Sequence, residues 1–139
     1  MKKSLLLLLS ASLIFNSTGC AFSNSINEQD LMHHHYILME NNGLSLPIFK
    51  NVDLEFGENM IMIGKICSEF LAQIKLENNM IKGQIINMTN NKCQNKQLDL
   101  LDNVIKKLII DGANIQLIDT KLVLKNNQDT LIFQLKDYM

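Results

Sequence analysis

The chain has 139 residues, 13 basic and 14 acidic side chains, a formal net charge of −1, no Trp and a single Pro. That length suits one domain, and 47% apolar residues is ordinary for a packed core rather than a disordered chain. The near-neutral balance, without any basic stripe, excludes a nucleic-acid binder that works through phosphate neutralisation.

Met1-Lys2-Lys3 is a short positive segment, and an apolar stretch of about 12 residues follows from Ser4 to Phe15. That is the length of a secretory h-region, whereas a helix spanning a bilayer needs roughly 20 apolar residues. Residues 1–19 therefore read as a signal peptide. The stretch closes on Ser17-Thr18-Gly19-Cys20, which resembles the lipobox cut by lipoprotein signal peptidase, with Ser17 where Leu is usual. The competing reading is an ordinary signal peptide followed by a chance cysteine. Cleavage before Cys20 removes Lys2 and Lys3 and moves the net charge to roughly −3. One acyl chain on Cys20 would hold the protein marginally, at about 0.8 kcal/mol per buried CH₂, and two or more would hold it stably. The resemblance to bacterial lipoproteins implies three. By the same resemblance, Ala21 in place of Asp points to the outer membrane, with the protein lipid-anchored on its periplasmic face.

Three cysteines are present: Cys20, Cys67 and Cys93. With Cys20 lipidated, two remain in an oxidising compartment, so a Cys67–Cys93 disulfide is expected. Two buried free thiols are the alternative. A redox-catalytic pair is disfavoured because there is no Cys-x-x-Cys spacing.

Residues 20–31 are mostly polar and read as a lipidated tether, with a domain over 32–139. His35 to Glu40 is strand-like and runs into the turn Asn41-Asn42-Gly43. Val52, Leu54 and Phe56 alternate with Asp53 and Glu55, a half-buried strand, and Gly57-Glu58-Asn59 turns the chain. Met60 to Cys67 is apolar on both faces, as in a central strand. Ala72, Ile74 and Leu76 alternate with Gln73, Lys75 and Glu77; Asn78-Asn79 is a hairpin turn and Met80 to Met88 the return strand. The period then changes. Leu98, Leu101, Ile105, Leu108 and Ile109 follow helical spacing, with Asn95 as N-cap, Gly112 as the stop, and Asp102 placed to pair with Lys106. Strands resume at Ile115–Leu117, Lys121–Lys125 and Thr130–Leu135, separated by Asp119-Thr120 and by Asn126 to Asp129. This predicts an α+β fold that is mostly β. Its antiparallel strands form a partly open barrel or curved sheet with one amphipathic helix.

Gly64-Lys65-Ile66-Cys67-Ser68-Glu69-Phe70 resembles the Gly-x-x-Cys-Asn-x-Phe segment of META-domain proteins, and Met88-Thr89-Asn90-Asn91-Lys92-Cys93 resembles their Met-Thr-x-x-x-Cys segment. The likeness runs in order from about residue 31 to the C-terminus. Gly64, Cys67, Phe70, Met88, Thr89 and Cys93 carry it; Ser68 departs from it, so a hydroxyl must do what the family's amide does. The resemblance implies a compact β-rich domain of a heat-inducible envelope lipoprotein, associated with novobiocin tolerance, for which no enzymatic reaction is established.

The residues suggest little chemistry of their own. On a strand His33 and His35 would share a face, with His34 opposite. Two ligands do not make a metal site, so no metal or other cofactor is assigned. Asp53, Glu55, Glu58 and Glu69 read as the solvated side of strands, and no catalytic residue is assigned. Met60, Met62, Met80 and Met88 read as core packing. The expected function is a non-enzymatic envelope module that binds another envelope protein. The competing expectation is a small hydrophobic ligand in an open barrel mouth.

Overall fold

The computed structural model describes residues 24–138; the signal-peptide reading and Cys20 lie outside the described residues. The alternating segments form eight strands: β1 (His34–Asn41), β2 (Asp53–Phe56), β3 (Ile61–Lys65), β4 (Glu69–Glu77), β5 (Met80–Met88), β6 (Ala113–Ile118), β7 (Lys121–Lys125) and β8 (Thr130–Tyr138). Each pairs antiparallel with the next, and β8 returns to pair with β1, so the barrel is closed.

Tight turns make this meander possible. Asn78 and Asn79 have φ of 52° and 57°, both in the left-handed region that a two-residue hairpin demands and that Asn tolerates. Asp119 does the same between β6 and β7, at φ 54°. Before β3, Asn59 and Met60 are both left-handed, which delays the strand to Ile61. The expected strand from Met60 to Cys67 is therefore shorter. Its apolar outer face is real: Ile63 is 40% exposed, opposite Glu55 on one side and Leu71 on the other.

The barrel interior is filled. Leu38, Leu54, Phe56, Met62, Ala72, Ile81, Leu122 and Phe133 are each buried to within 1%. Outward positions carry Lys65, Lys75, Glu77, Lys82 and Lys121, which are exposed. Apolar inside and charged outside is the inverse of a barrel whose outer face meets lipid tails.

Among the described residues there is one α-helix, α1 (Lys96–Asp111), inserted between β5 and β6. The Asn95 side chain accepts from the Gln97 and Leu98 N–H groups at 2.9 and 3.3 Å, which caps the first turn. Gly112, at φ 100°, lets the chain leave the helix. Leu98, Leu101, Ile105, Leu108 and Ile109 are all buried. The expected Asp102–Lys106 pair is absent: Asp102 points inward at 8% exposure, and its Oδ1 has no hydrogen-bond partner. The helix fills a gap, because β5 and β6 pair only at Met80–Asn114 and Ile81–Ala113. The remainder of β5 packs against α1 instead.

The last residues of the expected tether, 26–31, are packed onto the domain. The Ile26 N–H donates to Asn79 Oδ1 at 2.7 Å, a short 3-10 turn covers Glu28–Asp30, and Leu31 is completely buried. Apolar Ile26 and Leu31 have a core to join, so packing against the domain includes residues before 32. Leu31 and Phe49, each fully buried, come from the segments before and after β1 and close opposite ends of the barrel.

Candidate functional site

The six motif residues converge on one end of the barrel, where the β3–β4 turn meets the exit of β5. Gly64 and Phe70 are cross-strand partners, and the buried Phe70 ring lies over the bare glycine. A Cβ on Gly64 would stand 2.1 Å from Phe70 Cε1, so the ring occupies the space that any side chain would need. Phe70 also pairs with Met88 on the following strand.

Beyond Phe70 the ladder continues through a side chain. The Thr89 N–H donates to the Glu69 carbonyl at 2.9 Å, and Thr89 Oγ1 accepts from the Glu69 N–H, also at 2.9 Å. Further out still, Cys67 and Cys93 are joined by a disulfide with their Cα atoms 5.3 Å apart. Ser68, 3% exposed, donates to the Asn91 carbonyl at 3.4 Å, while Asn91 Nδ2 donates to the Cys67 carbonyl at 3.3 Å. The hydroxyl that replaces the family's amide thus still ties the two segments together. The Cys93 N–H donates to Asp99 Oδ1 at 3.3 Å, which fixes the first turn of α1 to the same cluster. The cluster is a latch. It holds the β3–β4 turn, the end of β5 and the start of α1, and its polar groups are spent on one another.

The histidines do not come together. His33 lies outside β1 with φ 64° and faces Glu58 at 3.2 Å, so the shared strand face with His35 does not form. His34 Nδ1 lies 2.8 Å from the Met32 carbonyl. His35 lies between two carboxylates, with Nε2 3.2 Å from Asp53 and Nδ1 3.2 Å from Asp137. Glu69 faces Lys65 at 3.5 Å. Asp53, Glu58 and Glu69 thus face three different side chains, His35, His33 and Lys65. Among the described residues, no three His, Cys, Asp or Glu side chains gather as metal ligands.

Sequence reasoning missed Gly83, whose signal was a glycine in the middle of a strand. A Cβ there would stand 2.0 Å from the Gln73 carbonyl oxygen and 2.8 Å from the Ile74 Cα. It also missed a groove of about 540 Å³ between α1 and the turns flanking β1 and β8, lined by Leu44, Leu100, Val104 and Lys107 among others.

The model of the META domain family matches residues 29–138. The chain belongs to the META-domain family. A curated relative, Heat shock protein HslJ of Escherichia coli (strain K12), is 33% identical over 124 residues, covering 87% of this chain and 89% of that protein. An NMR structure superposes with a TM-score of 0.73 at 32% identity, covering 79% of this chain and 95% of the other. A second, from Burkholderia xenovorans, has a TM-score of 0.61 at 14% identity and covers 98% and 99% of the two chains, which is likeness of fold alone. The latch residues of this META domain lie within the matched region, as do all eight strands and the helix.

Proposed function

We propose that the protein is a lipoprotein of the HslJ type, anchored through Cys20 at the periplasmic face of the outer membrane. It supports envelope integrity under heat stress by holding another envelope protein, without catalysis. The filled barrel carries this reading. Phe49, Phe56 and Phe133 are completely buried among Leu31, Leu38 and Met62, leaving function to the surface. The groove flanked by Leu44 and Leu100, 40% and 50% exposed, is a surface of the kind a protein partner covers. An association with novobiocin tolerance belongs to the same reading. The competing reading, a hydrophobic ligand in the barrel mouth, loses its volume to Leu31 and Phe49.

Crosslinking in cells under heat shock tests the reading. A reproducible envelope protein crosslinked at Leu100 is the expected result. No partner, together with direct binding of a hydrophobic small molecule to the purified protein, overturns it.

A further inference from the structure

The strand directions place the start of β1, the end of β8 and the turns before β3, after β4 and after β6 at one end of the barrel, opposite the latch. At that end the Ile115 N–H donates to the Asn79 carbonyl at 2.8 Å. The β6–β7 hairpin therefore projects beyond the β4–β5 turn, through Gln116 and Leu117 to the closing pair Ile118–Lys121. Ile118, near its tip, is 53% exposed. Asn24, Ser25 and Ile26 line one groove with Ile115, Gln116, Leu117 and Ile118, so the chain enters alongside this hairpin.

Cys20 precedes Asn24 by four residues. Four residues span at most about 14 Å when fully extended. An acylated Cys20 lies at the level of the lipid headgroups, so the hairpin tip cannot stand far from the bilayer. An isoleucine over half exposed is unfavourable in water but suited to the headgroup–acyl boundary. Lys121, across the turn, has an aliphatic stem that can lie along the same boundary with its ammonium among the phosphates. Asp119, Glu77 and Asp30 share this end, so charges of both signs face the surface, and contact rests on the apolar tip rather than on a basic field.

We propose that the tip of the β6–β7 hairpin, Ile118 with Lys121, is a second point of contact with the bilayer that holds the anchor. The barrel then stands with its latch and the Leu44–Leu100 groove facing away from the lipid. This inference rests on the acylation of Cys20.

The test uses the full chain, expressed with its leader and extracted from membranes, in two variants: Ile118→Cys and Ile86→Cys. Ile86, 56% exposed near the far end of β5, reports on the opposite end. Intact mass establishes acylation. An environment-sensitive fluorophore on each new thiol is then read in vesicles of phosphatidylethanolamine and phosphatidylglycerol carrying headgroup-level quenchers. The expected result is a blue shift and about a twofold loss of fluorescence at residue 118, with neither at residue 86. Equal quenching at the two positions on an acylated chain overturns the contact and leaves the lipoprotein reading standing. An unacylated chain overturns both. Lys121→Cys, on the same turn, gives the same reading should Ile118→Cys fail to fold.

Discussion

Replacing Gly83 with Ala is the sharpest perturbation the barrel offers. The added methyl would meet the Gln73 carbonyl oxygen at 2.0 Å and the Ile74 Cα at 2.8 Å. Non-bonded carbon atoms rest at about 3.5 Å or more. Both obstacles are backbone, so no rotamer change relieves them, and β4 and β5 must part by roughly 1.5 Å at a point flanked by ladder pairs on both sides. Overpacking costs about 1–3 kcal/mol when side chains can yield. Here the backbone must yield, which sets the loss near 3 kcal/mol even after the gain of about 0.5 kcal/mol from a stiffer unfolded chain. For a domain of this size that lowers the melting temperature by about 12 °C. Urea unfolding followed by circular dichroism measures it, with Gly43→Ala as the comparison. Gly43, at φ 80°, has nothing within 4 Å of a built Cβ, so its cost is conformational strain alone, about 1 kcal/mol. If Gly83→Ala loses no more than Gly43→Ala with an unchanged m-value, the close approach of β5 to β4 is not what requires glycine there.

Gly64→Ala should cost about 1–3 kcal/mol, and far less in a Phe70→Leu background, because the obstacle is a ring that can be removed. Additive losses in that double-mutant cycle would refute the stacking. Replacing Cys67 and Cys93 together by Ala should cost about 3.5 kcal/mol, the chain entropy released from a loop of 26 residues. A loss under about 1 kcal/mol by denaturant titration would mean that the Ser68–Asn91 and Glu69–Thr89 bonds hold the latch without it. Asp102→Leu should stabilise the domain by about 1 kcal/mol, since it removes a buried side-chain oxygen that has no hydrogen-bond partner. A loss of similar size would show that the carboxylate has a partner in solution.

All eight strands and the helix were legible in the sequence because period and turn chemistry are local. Asn78-Asn79 and Asn95 declare a hairpin and a cap within a few residues of where they act. Closure was not legible. Whether β8 reaches β1, and whether β5 meets β6 or a helix, depends on register summed over many strands, which no single window encodes. Gly83 was overlooked for the same reason: its obstacle lies on another strand. Leu31 reads as tether in the sequence because polar neighbours surround it, although one apolar side chain with a pocket to fill suffices to order the segment. The latch was the opposite case. Its residues are marked by the family resemblance, but their shared purpose lies in the fold, where the Ser68 hydroxyl, the Asn91 amide and the Thr89 hydroxyl each bond the backbone of the facing segment.

Pairing of β1 with β8 brings His35 beside Asp137, 102 positions away along the chain. Most other strand contacts join neighbours in sequence, so this last pairing bears the greatest loop-closure cost and should form late in folding. The same adjacency makes the domain a candidate for circular permutation. A short linker from the end of β8 to Asn24, with new ends cut at the exposed Asn127-Gln128 turn, would keep every ladder. It would turn the slowest contact into a local one and move the free ends to the opposite face.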